Sequence, residues 1–111
     1  MNETITFEDF TKVDLRVGTI IEVNDFPEAI NPAYQLTIDF GELGIKKSSA
    51  QITTLYTKKQ LLNKQIVAVV NFPKKQIAKF LSECLVLGAV NGKDVILLNP
   101  ENAVKNGSSV V

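Results

Sequence analysis

Between Gln65 and Val90 the chain runs Ile66-Val67-Ala68-Val69-Val70, then Asn71-Phe72-Pro73-Lys74-Lys75, and then a second apolar stretch from Cys84 to Val90. Five consecutive apolar residues, mostly β-branched, carry no helical period and predict a strand buried on both faces, as a small closed barrel requires. Pro73 ends that strand, because it has no N–H to offer a ladder. The stretch Cys84-Leu85-Val86-Leu87-Gly88-Ala89-Val90 predicts another strand of similar character. The connection between the two is expected to cross the barrel surface, carrying Phe72, Lys74, Lys75, Lys79 and Phe80.

Earlier in the chain, Thr6-Phe7-Glu8-Asp9-Phe10 places an N-cap threonine three residues before an acid, with Phe7 and Phe10 on one helical face. A short helix over one barrel end is expected there. From Val13 the period becomes two: Val13, Leu15, Val17, Thr19, Ile21 and Val23 alternate with Asp14, Arg16, Gly18, Ile20 and Glu22. This predicts a long strand, with Gly18 as a bulge or bend. Asn24 to Pro32 reads as an ordered loop. Tyr34, Leu36, Ile38 and Phe40 alternate along a second strand, and Gly41-Glu42-Leu43-Gly44 turns it into a third strand over Ile45 to Ile52, where small and polar residues make one face unlike core. Thr57-Lys58-Lys59-Gln60 matches a capping box and predicts a short helix. Asn91-Gly92 predicts a hairpin into Val95-Ile96-Leu97-Leu98, stopped by Asn99-Pro100, and the tail from Lys105 to Val111 adds a short edge strand. Three strands, a short helix and two strands, in that order, predict an all-β fold, a five-stranded oligonucleotide/oligosaccharide-binding (OB) barrel, in a single domain spanning residues 1–111.

Composition narrows the chemistry. The chain has 111 residues, 45% of them hydrophobic, yet no apolar stretch approaches the roughly 18 residues that a membrane helix needs, so no membrane insertion is expected. Met1-Asn2-Glu3-Thr4 lacks the basic and apolar regions of a secretory signal, which predicts a cytoplasmic protein. With no histidine, imidazole triads and the common zinc sites are excluded, and the twelve acids form no clustered motif. Carboxylate-pair chemistry stays open in principle, but the acids read as solvated surface, and no cofactor or metal is expected. Cys84, the one cysteine, sits in an apolar run and reads as a buried reduced thiol.

The zero net charge conceals an asymmetry. Residues 1–45 hold nine acids and two bases, whereas residues 46–79 hold eight lysines and no acid. Gathered on one face, such a block attracts polyanions; beside acidic neighbours it is neutralised, and the sequence leaves both readings open.

Three stretches are candidates for function. Asp14 and Arg16 lie two apart on one strand face, which favours an ion pair at the barrel edge over ligand contact. Lys46-Lys47-Ser48-Ser49-Ala50 is either a groove floor, with Ser48, Ser49 and Ala50 contacting a polypeptide, or a solvated edge strand. Asn71, Phe72, Pro73, Lys74, Lys75, Lys79, Phe80, Leu81 and Ser82 interleave apolar and cationic side chains in the manner of single-strand binders, although both phenylalanines also read as core.

Val13-Asp14-Leu15-Arg16-Val17-Gly18-Thr19-Ile20, Gly44-Ile45-Lys46-Lys47-Ser48-Ser49-Ala50-Gln51-Ile52-Thr53 and Val69-Val70-Asn71-Phe72-Pro73 closely resemble the CsaA-type export chaperones, within the wider family of tRNA-binding domains appended to methionyl-tRNA synthetases. The resemblance implies an OB barrel, a homodimer joined through short terminal elements, and binding of unfolded or exported polypeptides rather than catalysis by an enzyme. Its further implied partners are the secretion ATPase and tRNA. On this basis Ser48, Ser49, Ala50, Asn71, Phe72, Phe80 and Leu81 are the candidate polypeptide contacts, and Lys46, Lys47, Lys74, Lys75, Lys79 and Ser82 the candidate RNA or polyanion contacts. Where the wider family carries Ser-x-Gly-Met, this chain has Ser82-Glu83-Cys84-Leu85, and Lys79 and Leu81 stand where relatives carry a glycine and a lysine.

Overall fold

The computed structural model describes residues 3–111. Thr6 caps α1 (Phe7–Thr11) reciprocally: its hydroxyl accepts from the Asp9 N–H, and the Asp9 carboxylate accepts from the Thr6 N–H. The helix does not lie over a barrel end as expected. None of its residues is buried, and Phe7, 6.4 Å from Phe10 between ring centroids, is 78% exposed. Its apolar face instead lines an open groove of about 460 Å³ shared with Val110 and Val111 of the tail.

β1 (Leu15–Asp25) serves two neighbours, β4 along Leu15–Thr19 and β2 along Thr19–Asp25. β2 (Tyr34–Asp39) turns through a 3₁₀ segment at Gly41–Leu43 into β3 (Ile45–Ala50). α2 (Lys58–Leu61), with the predicted Thr57/Gln60 capping box, leads to β4 (Gln65–Val69), which is buried nearly throughout. Then follow β5 (Lys75–Ile77) and β6 (Phe80–Ser82), β7 (Leu85–Val86), and β8 (Gly88–Asn91) with β9 (Asp94–Leu97). The five-stranded antiparallel sheet has the order β3-β2-β1-β4-β7, and the meeting of β3 with the β6–β7 segment brings it nearly to closure as a barrel.

Ile20, Leu36, Ile38, Phe40 and Ile66 fill the interior, and Leu61 of α2 enters it as well. The irregularity in β1 falls not at Gly18 but between Ile20 and Glu22: Ile20, on the parity of Gly18, enters the core, Ile21 is exposed, and the shift brings Val23 to the core side. Gly18 answers a different need, because a Cβ there would stand 2.7 Å from both Ile38 Cγ2 and Phe40 Cδ1. Ion pairing of Asp14 and Arg16 is present at 2.7 Å, and Arg16 also donates to the Gly107 carbonyl oxygen at 3.1 Å. That contact fastens the tail, which pairs with β1 through Val17, Gly107, Ser108 and Val110 as the predicted edge strand.

Two expectations for the second half are corrected. The apolar run from Cys84 to Val90 is not one strand: it divides into β7 and β8, the intervening Leu87 donating to Val67. β8 and β9 then form a separate hairpin turning at Gly92-Lys93, with Gly92 at φ +64°. The connection between the runs is itself a hairpin, β5–β6, turning at Ala78-Lys79. Among the described residues no helix is long and apolar enough to cross a membrane.

Candidate functional site

Where β4 leaves the barrel, Asn71 accepts from the Asp14 N–H at 2.9 Å and donates to the Lys12 carbonyl oxygen at 2.7 Å. Its amide is thus committed to holding the start of β1 against the end of β4, in a positioning role distinct from the polypeptide contact expected of it. Phe72 follows and projects outward, 54% exposed, and Pro73 turns the chain into β5.

The β5–β6 hairpin is held by a small core of its own. Phe80 is 9% exposed and packs on Phe26 at 5.3 Å between ring centroids, together with Ala33 and flanked by Ile77 and Ala29. Buried against the loop after β1, Phe80 is core and is not placed to contact a ligand. Leu81, the next residue, points the other way and is exposed, as strand alternation dictates.

Between the exit of β4 and the hairpin lies an open, largely apolar groove of about 330 Å³, lined by Phe72, Pro73, Lys75, Ser82, Cys84 and Leu85. Cys84 forms part of its wall; burial pushes the thiol pKa up to about 12, against the opposing influence of Lys46, so it is a neutral apolar surface at physiological pH. Beside the groove Glu83 joins two elements. Its N–H donates to the Lys47 carbonyl oxygen at 2.7 Å, its Oε1 accepts from the Lys47 N–H at 3.0 Å, and its Oε2 lies 3.7 Å from Lys74.

The eight central lysines are divided by the fold. Lys75 lines the groove, Lys46 and Lys47 lie on β3, Lys74 precedes β5 and Lys79 sits in the hairpin turn, whereas Lys58, Lys59 and Lys64 belong to α2 and its exit. Asp25 bonds Lys58 at 2.9 Å and holds its pKa above the usual lysine value. Among the described residues Lys46, Lys47, Lys75 and Lys79 have no ion-pair partner, so positive charge at the groove is only partly offset.

The fold therefore gathers Phe72, Lys75 and Ser82 at one groove, with Leu81, Lys46, Lys47, Lys74 and Lys79 on the elements around it. Ser48, 1% exposed, and Ala50 face the barrel interior, because small residues on the inward parity of β3 make room for the larger ones of β2; of that triplet only Ser49 reaches the surface. Pro73 falls in the candidate stretch read from the sequence, whereas Glu83, Cys84 and Leu85 are additions from the structure. The available signal was the sequence Ser82-Glu83-Cys84-Leu85, of which Ser82, Cys84 and Leu85 line the groove and Glu83 bonds β3.

A family model described as "Putative tRNA binding domain" matches residues 15–109. The chain belongs to that family. A curated relative, the methionine–tRNA ligase of Pyrococcus horikoshii, is 39% identical over 108 residues, covering 97% of this chain but only 15% of the ligase. Among solved structures, the chaperone CsaA from Bacillus anthracis str. Ames is 52% identical with a TM-score of 0.93, over 98% of this chain and 100% of that one. The CsaA chaperone protein from Picrophilus torridus is 56% identical with a TM-score of 0.91, over 97% and 100%. The tRNA-binding family resemblance read in the sequence, its CsaA-like character and the OB-like barrel all stand.

Proposed function

We propose that this tRNA-binding-family chain is a non-catalytic, chaperone-like protein that binds unfolded or export-destined polypeptides in the cytoplasm, and that it does so as a homodimer. The observation carrying this reading is the groove of Phe72, Pro73, Cys84 and Leu85: an open apolar trough with an exposed aromatic ring at its edge. Unfolded chains present the apolar side chains that such a trough removes from water, and an open trough lets the rest of the chain pass on either side. Similarity to two CsaA chaperones along their whole length supports the same assignment. The secretion ATPase fits as a further partner of such a protein, and the α1–tail groove, with Phe7 and Val111 exposed, is the surface that fits a second copy.

A second reading, binding of structured tRNA, is favoured by the family match and by the lysines without ion-pair partners around the groove. The two readings separate by salt. Four phosphate contacts make log K fall against log salt with a slope of about −3 to −4, while apolar capture depends weakly on salt. Titrating a reduced, alkylated polypeptide and a tRNA between low and physiological salt is expected to leave the polypeptide as the tighter ligand at the physiological end. Tighter tRNA binding there would reverse the order of the two readings.

A further inference from the structure

The barrel closes over only part of its seam, and what is left open is a strand edge. In an antiparallel strand the N–H and C=O groups of alternate residues point to the same side. Lys47 turns its pair away from β2 to meet Glu83, so Ser49 and Gln51 turn theirs the same way. Beyond Glu83, however, pairing fails. The Ser49 N–H reaches only Ser82 Oγ, at 3.5 Å, longer than an ordinary hydrogen bond. The backbone N–H and C=O of Gln51, an exposed residue just past β3, have no hydrogen-bond partner among the described residues.

Grooves lie on both sides of this edge. One of about 240 Å³ has Ile52, Leu85, Val86 and Leu97 among its walls; another of about 330 Å³ runs toward Ala33 and Ile77. Both include Ser49 and Gln51, the first shares Leu85 with the Phe72 groove, and the second shares Lys75 with it. The grooves therefore adjoin one another around the free edge, and Lys75, which has no ion-pair partner among the described residues, borders two of them.

We propose that an extended polypeptide segment docks here by adding a strand to β3 at Ser49–Gln51, with apolar side chains at alternate positions and a carboxylate residue at the end near Lys75. This rests on the polypeptide-binding reading and supplies its mode: backbone pairing holds any sequence, the apolar walls take every second side chain, and Lys75 selects for acid. Unpaired strand edges are the sites at which folded proteins accept another chain.

The test uses a fluorescent heptapeptide alternating valine and threonine, ending in aspartate, and two derivatives N-methylated at its odd or its even residues. Methylation removes the donors along one edge of the bound strand and leaves the side chains unchanged. One derivative is expected to lose about ten-fold or more in affinity and the other to stay close to the parent. The bound parent is expected to slow hydrogen exchange at Gln51. Equal affinity of all three peptides, equal loss by both derivatives, or no binding of the parent overturns strand addition. Binding of a reduced, alkylated polypeptide in the same assay keeps that failure distinct from failure of the polypeptide-binding reading.

Discussion

Glu83 and Lys47 bond each other twice, backbone N–H to carbonyl oxygen at 2.7 Å in one direction and backbone N–H to carboxylate at 3.0 Å in the other. The side-chain carboxylate thus replaces the strand partner that Lys47 lacks, and it seals the barrel at the point where β3 meets the β6–β7 segment. Glu83→Ala leaves that N–H to water and removes the partner of Lys74; a loss of about 1–2 kcal/mol is expected, read as a lower urea midpoint at unchanged slope. Glu83→Gln, which retains an acceptor oxygen, is expected to recover most of it. An alanine variant as stable as the parent would show that the seam is held elsewhere.

Asn71 lies beside the groove but is directed away from it. Asn71→Ala removes the two side-chain hydrogen bonds between the α1–β1 junction and the end of β4, leaving the Val70 N–H bond to the Asp14 carbonyl oxygen, and is expected to lower stability by about 1 kcal/mol while polypeptide affinity stays within two-fold. Thermal unfolding measured beside a binding titration checks both halves. A loss of affinity at unchanged stability would return Asn71 to the binding surface.

The hairpin turn carries backbone strain. Ala78 sits at φ +53°, where a side chain costs roughly 1–2 kcal/mol and glycine avoids the clash at an entropic cost of about 0.5–1. Ala78→Gly is accordingly expected to stabilise the protein by about 0.5 kcal/mol, raising Tm by a few degrees. A drop in Tm would mean that chain entropy dominates at this turn.

Much of the fold was legible because local chemistry and tertiary packing agree. The Thr6 and Thr57 caps, the both-faced burial of Ile66 to Val69, and the Asp14–Arg16 pair each follow from a short stretch of sequence and are present. The misreadings arose where a distant partner decides. Alternation from Val13 puts Ile21 on the apolar face and Ile20 opposite it. Yet Gly18 faces Ile38 and Phe40 of the core, Ile20 joins them there, and the register shift after Ile20 then brings Val23 to the core side. Phe80 and Phe72 share a basic, aromatic-rich connection, and only the Phe26 loop, 54 residues earlier than Phe80, buries one and leaves the other out. Ser48 and Ala50 read as a face unlike core until β2 sets Leu36 and Tyr34 opposite them.

Burial raises the Cys84 thiol from 9.0 to about 12, so the folded form keeps its proton where the unfolded chain has lost it. The contribution to stability is complete below about pH 9 and is lost as pH rises toward about 12, at a slope of about 1.4 kcal/mol per pH unit. Cys84→Ala removes this dependence and leaves a small cavity. Urea midpoints of parent and variant between pH 8 and the onset of alkaline unfolding are expected to converge; parallel curves would contradict the assignment.

Phe72 carries the proposal that polypeptides bind at the apolar groove. Because its ring is 54% exposed and absent from both core clusters, Phe72→Ala is expected to change stability by less than about 1 kcal/mol while removing an anchor from the groove. The direct measurement is the affinity of this variant, confirmed folded by its Tm, for a reduced, alkylated polypeptide at physiological salt. A loss of about ten-fold or more is the predicted result. Unchanged affinity in a folded Phe72→Ala protein would contradict the groove as the site of capture.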